Sequence, residues 1–396
     1  MKWPAKRITQ CSPKSFGMYE KAMGLMAAGQ ELIHLEVGRP DFDTPLHIKE
    51  ATKKALDDGV VHYGNFPGEL FLRQALAGKL KSFNHLEVSP DEILVTNGLT
   101  HAGYAVFQAA LDPGDEVILL EPYYPQHINK IELAGGKVVT APLDASNGYA
   151  IDRATIEARI TDRTRMICIV NPANPTGRVF RRDELQIIAD LAMEHDLLVA
   201  SDEVYEQITY DGNQHISIAS LPGMWQRTFS MFAFTKAFSM DGWRLGYVAC
   251  SRQFMPALLM ITVSDVAHVN VFIQHGAHAA ITGPQDCLTE MLREDDRRRR
   301  LVCSRMNAMN GVVCPLPQGT IYAFPDVSAI AKPSRQIADE LLQQTHVVTE
   351  DGAFYGAAGS GHLRICFGSE PYSVIEQAMD RMQAYFAKQT LVGVCP

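Results

Sequence analysis

From residue 92 to residue 250 the chain repeats one pattern: a short apolar run, a polar or Gly/Pro-bearing break, and a helix-length segment. The runs are Glu92–Val95, Glu116–Leu120, Lys137–Ala141, Met166–Val170, Leu197–Ala200, Thr228–Phe234 and Leu245–Cys250. Each is rich in Val, Ile, Leu or aromatic residues, as a strand covered on both faces must be. Segments long enough for helices lie between most of them, among them Leu99–Ala110, Gln126–Ala134 and Arg182–His195. Two amphipathic stretches, His47–Asp58 and Glu69–Phe83, precede the first run. Their apolar spacing is that of helices. The alternation predicts an α/β domain built around a mainly parallel sheet.

Beyond about residue 290 the texture changes. A long helical stretch (about Gln285–Asn310) leads to Gly319-Thr-Ile-Tyr-Ala-Phe324 and a helix near Ser334–Gln344. A Gly-rich loop at Gly352–Gly361, a strand at His362–Phe367 and a last helix follow. This predicts a smaller α+β domain. The first forty or so residues do not fit the large sheet, and are expected to run back to the small domain or onto a partner.

Charge and thiol usage exclude several function classes. A net charge of −9 argues against nucleic acid, because phosphate binding needs a concentrated excess of Lys and Arg. The dense basic run Arg297 to Arg300 follows Glu294, Asp295 and Asp296 in a helical pattern. It reads as a solvated, internally paired helix face. No stretch has the roughly 18 apolar residues needed to span a bilayer, and Met1-Lys-Trp-Pro-Ala-Lys-Arg7 lacks the apolar centre of a signal peptide. The eight Cys contain no C-x-x-C pair, and several lie in apolar runs such as Met166–Val170. Free, mostly buried thiols in a reducing compartment, the cytoplasm, are expected rather than disulfides or a metal site.

In open α/β sheets ligands gather at the carboxyl ends of the strands, so the residues after each run matter most. Thr96-Asn97-Gly98-Leu99-Thr100 follows the first, and Glu121-Pro122-Tyr123-Tyr124 the second. Asn171-Pro-Ala-Asn174-Pro-Thr-Gly177 follows the fourth, and Ser201-Asp202-Glu203-Val-Tyr205 the fifth. Thr235-Lys236 follows the sixth, with Gly242-Trp-Arg244-Leu-Gly-Tyr247 just beyond. Such a set suits a phosphorylated heteroaromatic ring. A helix opening at Gly98 offers free N–H groups to a phosphate, and Arg244 adds a forked donor. A lysine can form an imine with an aldehyde, and an acid can keep a ring nitrogen protonated so that the ring accepts electrons. Tyr124 can stack on the ring. No Ser-His-Asp triad or G-x-G-x-x-G fingerprint is present, and His101, His127 and His275 read as satisfied structural histidines.

With these residues in place, the sequence resembles the class I/II aminotransferases, fold-type I enzymes dependent on pyridoxal 5′-phosphate (PLP). The bacterial aspartate/aromatic branch is nearest. The resemblance runs from Leu35-Glu-Val-Gly38-Arg-Pro-Asp-Phe-Asp-Thr-Pro45 through Tyr63-Gly-Asn-Phe-Pro-Gly68 and Lys236-Ala-Phe-Ser-Met-Asp-Gly-Trp-Arg244 to His362-Leu-Arg364-Ile365. It implies a seven-stranded large domain over residues 45–290, and a small domain made of residues 1–44 and 291–396. It also implies that Lys236 is the Schiff-base lysine and proton carrier, that Asp202 pairs with the pyridinium nitrogen, and that Asn174 and Tyr205 bond the ring hydroxyl. Gly98, Leu99, Thr100 and Arg244 would surround the phosphate, with Tyr63 of a second subunit reaching it in a homodimer. Arg364, with Gly38 and Asn174, would hold the substrate α-carboxylate.

Three departures stand out. Many members place Ser or Thr on the phosphate where this chain has Ala233, for which Thr235 can substitute. The usual Pro-Gly of the final loop reads Asp351-Gly352. Aspartate-type members often carry Lys after the Gly98 turn, where this chain has Thr100-His101, which leaves the amino donor open. The shared residues also leave open β-elimination of the cystathionine lyase kind, or decarboxylation, on the same fold. A sensor domain of a transcription regulator would need an N-terminal helix-turn-helix module, and only about forty residues precede the matched region.

Overall fold

The computed structural model describes residues 3–392. Helices α1 (Lys6–Gln10) and α2 (Met18–Ala27), strand β1 (Ile33–His34), and helices α3 (Leu46–Asp57) and α4 (Leu70–Phe83) lead into the large sheet. Its first four strands are β2 (Ile93–Thr96), β3 (Glu116–Glu121), β4 (Lys137–Pro142) and β5 (Thr164–Val170). The remaining three are β6 (Leu198–Asp202), β7 (Thr228–Ala233) and β8 (Gly246–Cys250). Helices α5 (Gly98–Ala110), α6 (Gln126–Leu133), α7 (Arg153–Glu157) and α8 (Arg182–Glu194) fall between them.

The strands stand in the order β2-β8-β7-β6-β5-β3-β4. Strand β8 runs against both neighbours, and every other pairing is parallel. The seven apolar runs are thus the seven strands, with only their ends shifted. Alternate side chains serve opposite faces. Val117 and Leu119 share a core with Ala105, Val106 and Phe107 of α5. Ile118 and Leu120 share another with Leu185 and Ile188 of α8. Burial on both faces makes the runs continuously apolar, and only edge strand β4 is largely half-buried or exposed.

The remaining elements are α9 (Met255–Asp265), α10 (Val271–Thr282), α11 (Asp286–Asn307), β9 (Tyr322–Ala323) and α12 (Ser334–Thr345). After them come β10 (Val347–Val348), β11 (Glu350–Asp351), β12 (Leu363–Cys366) and α13 (Tyr372–Phe386). Strands β11, β12 and β9 form a small sheet, and β1 pairs in parallel with β10. Met18, Ala22, Ile33 and Leu35 join Val302, Ile337, Leu363 and Ile375 in one core. The N-terminal segment therefore runs back to the C-terminal part of the chain.

The basic run on α11 corrects its sequence reading. Arg298 and Arg299 are buried, Arg299 completely. Arg298 bonds Asp41 and Glu294, and Arg299 bonds Asp296 and reaches Asp211 at 2.7 Å. They fall on the inward side of the helix, where the distant acids offset the loss of water. Only Arg297 and Arg300 form the solvated, paired face.

Among the described residues seven cysteines are unpaired, five of them buried; Cys395 lies outside the described residues. No helix there is long and apolar enough to cross a membrane.

Candidate active site

Strands β2, β3, β5, β6 and β7 point the same way, so their carboxyl ends open on one edge of the sheet. Because β8 is reversed, Arg244, just before its first residue, arrives at that edge too. There a cavity of about 940 Å³ opens. Its wall includes Leu99, Thr100, Tyr124, Asn174, Asp202 and Tyr205. Thr235, Lys236 and Arg244 also line it, with Gly38 and Arg364 from the two ends of the chain. Gly98 stands just behind this wall with φ +74°, where a Cβ would lie 2.6 Å from Nη2 of Arg244. Only glycine allows both that backbone and that approach. Arg244 itself is left-handed, at φ +55°, and its Nη1 is held by the Asp241 carbonyl at 2.8 Å. Strain of this kind persists where the surroundings fix it, commonly at functional sites. Tyr63 is the exception among the predicted residues. It lies off the cavity wall, 91% exposed, with its ring edge-on to His268.

Lys236 faces the cavity and donates to the carbonyl of Gly38. Removal from bulk water pushes its ammonium down to about 8. Asp202 is 2% exposed; its Oδ2 meets His127 Nε2 at 3.2 Å, and its Oδ1 accepts the Val204 N–H at 3.2 Å. The Tyr205 hydroxyl lies 2.8 Å from that of Tyr322, and burial raises the Tyr205 phenol well above its ordinary range. Arg364 sits between the rings of Tyr322 and Tyr355, 4.4 and 4.9 Å from their centroids. Its Nη1 donates to Asn174 Oδ1 at 3.2 Å and its Nη2 to the Glu36 carbonyl.

Sequence reasoning missed three contributors. His127 meets the Asp202 carboxylate, a pairing that its sequence position did not reveal. Tyr322 touches Tyr205, flanks Arg364, and approaches Gly38 so closely that a Cβ there would lie 1.9 Å from its hydroxyl. The segment Glu36–Gly38 supplies carbonyls to both Arg364 and Lys236. The Tyr in Gly319-Thr-Ile-Tyr-Ala-Phe324 was visible, yet nothing local tied it to residue 205.

The donors suit a phosphorylated ring carrying an aldehyde. The α5 N-terminus and Arg244 offer an anion site at one end, a buried carboxylate lies on the wall, and an amine of lowered pKa faces it. At the other end, Arg364 Nε and the Tyr355 hydroxyl find no protein partner among the described residues. A carboxylate-bearing substrate would supply acceptors there.

Comparison with known proteins identifies the family. A sequence model of the family described as aminotransferase class I and II matches residues 30–382. The chain is 38% identical to an aspartate aminotransferase of Pyrococcus abyssi over 374 residues, 94% of this chain and 96% of that one. It is 36% identical to aromatic-amino-acid aminotransferase 2 of Thermococcus litoralis over 378 residues, 95% and 96% of the two chains. A solved aspartate aminotransferase of Thermus thermophilus, a single mutant, superposes with a TM-score of 0.91 at 33% identity, covering 97% of this chain and 100% of that one.

Proposed function

Because this chain belongs to the class I and II aminotransferases, of fold type I, we propose a reading of its amino-transfer site residue by residue, with PLP as the cofactor. That the relatives are named for transfer decides against the elimination and decarboxylation that the residues alone left open. The observation that carries the reading is Lys236, an amine of lowered pKa facing the same cavity as Arg364.

Bound there, PLP supplies an aldehyde for the amino group and an electron-accepting ring. Lys236 is the residue to which it is bonded, and its Nζ carries the proton at the substrate Cα. Depression of that amine to about 8 raises its neutral fraction at pH 7 by roughly two orders of magnitude over an ordinary lysine. Asp202 holds the proton of the ring nitrogen, and His127 fixes the carboxylate. Asn174 and Tyr205 hold the ring hydroxyl, and Tyr124 packs on the ring. Thr100, Thr235, Arg244 and the backbone of Gly98 and Leu99 hold the phosphate. Arg364, Asn174 and Gly38 hold the α-carboxylate, so that the Cα–H is presented to Lys236. The same reading takes residues 45–290 as the cofactor-holding domain, and 1–44 with 291–396 as the smaller one. Unpaired thiols in five buried positions support a cytoplasmic enzyme.

The substrates are an L-amino acid and a 2-oxo acid. Purified enzyme given a panel of amino acids, each with 2-oxoglutarate, pyruvate and oxaloacetate, is expected to exchange amino groups for a subset led by aspartate or an aromatic donor. Release of pyruvate and ammonia from a cysteine conjugate, with no exchange, would reject transfer.

The assembly we propose is a homodimer in which Tyr63 completes the partner's phosphate site. An aromatic ring 91% exposed in the single chain supports this, as does the two-fold rule that one crossing loop makes two sites. Inactive Tyr63→Phe and Lys236→Ala chains, co-expressed, are expected to regain up to about half the wild-type activity per mixed dimer, since one site inherits both lesions and the other none. Tyr63→Ala serves if the hydroxyl matters little. A fully active monomer in sedimentation, or no recovery in verified mixed dimers, would reject the shared site.

A further inference from the structure

Helix α6 carries a second buried amine that the reaction, as read above, does not use. Lys130 lies one turn beyond His127, on the same helix face. It is 6% exposed, and its Nζ has no hydrogen-bond partner among the described residues. Its stem crosses α5 at Gly103, where a Cβ would stand 3.3 Å from Lys130 Cδ and 3.4 Å from Nζ. The ammonium lies 6.0 Å from the centroid of Tyr124, while His127 bonds Asp202 at 3.2 Å. Keeping an unpaired cation away from water costs stability, and an unbranched apolar side chain would fill the same space without that cost. Packing therefore gives no reason for a lysine here.

We propose that Lys130 is a positioning residue: a fixed cation beside Tyr124 and His127 that partly offsets the charge of Asp202 and so loosens the proton held at the Lys236–cofactor linkage. The inference rests on the cofactor reading given above. The charges around it set the sign. Asp202 on β6 attracts the ammonium, and Lys14 of the N-terminal segment opposes it. The Cys168 thiol on β5 is held protonated by burial, and His127 is held neutral by burial and by Lys130 itself. Burial pushes Lys130 down to about 8, which leaves it mainly charged at pH 7. A protonated linkage is positive, so a neighbouring cation disfavours it and a bare Asp202 favours it.

The test is a pH titration of the visible absorbance of the holoenzyme, comparing wild type with Lys130→Met and Lys130→Gln. Both variants are expected to raise the midpoint by roughly half a unit to one unit, with a melting temperature equal to or above that of wild type. A folded, cofactor-loaded variant with an unmoved or lowered midpoint overturns the proposal. So does failure of both variants to fold, which would assign Lys130 to packing. A wild-type protein with no visible band would overturn the cofactor reading itself, an outcome distinct from an unmoved midpoint.

Discussion

Lys236→Ala protein is expected to lose the visible absorbance of the lysine-bound cofactor and to turn over at least roughly 10³-fold more slowly. The substitution removes the amine that bonds the cofactor and the group that moves the Cα proton. Of the other amines among the described residues, Lys14 lines the cavity from the N-terminal segment, and the spectrum of the variant shows whether it takes over. Lys130 is buried between α5 and α6, and Lys79 is tied to Glu206. The anion site at Arg244 and α5 stays intact, so the variant should still take up PLP, noncovalently. Absorbance spectra of the dialysed protein, read with a single-turnover assay, separate loss of linkage from loss of binding. A wild-type spectrum in this variant would end the assignment of Lys236.

The second large effect is expected at Asp202. Replacing it by alanine removes a charge-assisted hydrogen bond to the ring nitrogen, and should weaken PLP binding by roughly 1.5–3 kcal/mol. Turnover should fall further than binding, because an unprotonated pyridine is a poor electron acceptor. The change also strips the partner from His127 Nε2, which is buried. Titration of the cofactor-free protein with PLP measures the first effect, and turnover at saturating PLP the second. Near-normal turnover would mean that another residue holds the ring nitrogen. His127→Phe is the matched control, since it keeps the acid and removes only its support.

The strands were legible because burial on both faces writes itself into consecutive residues. Val117 to Leu120 cannot tolerate a polar position when α5 covers one face and α8 the other. The edge residues were legible because the sheet converts chain order into proximity, so each strand's last residues became candidates together. His127 gave no such signal. Its role depends on α6 lying across the sheet so that a residue two places beyond Pro125 meets the end of β6. Arg298 and Arg299 failed for the opposite reason. Charge pattern shows which acids lie nearby along the helix, and says nothing of Asp41 or Asp211, which arrive from elsewhere in the chain. Tyr63 lies outside the cavity of the single chain, so the site role proposed for it depends on assembly and not on the fold of one subunit.

The segment around β1 has a consequence for synthesis. Leu35 donates its N–H to Val348 and accepts one from Cys366, Glu36 accepts from Arg364, and Gly38 accepts from Lys236. Leu35 and Glu36 are thus bonded to residues 348–366, which leave the ribosome long after them. At typical elongation rates the interval between them is on the order of tens of seconds. For most of it the carbonyls of Leu35 and Glu36 have no strand or guanidinium to meet, although the last strand of the large sheet, ending at Cys250, is made well before it closes. The nascent chain can build the floor of the cavity once β8 is made, but the clamp proposed for the carboxylate waits for Arg364. On the role proposed for Arg364, a growing polypeptide is therefore kept from binding substrate productively until that residue has emerged.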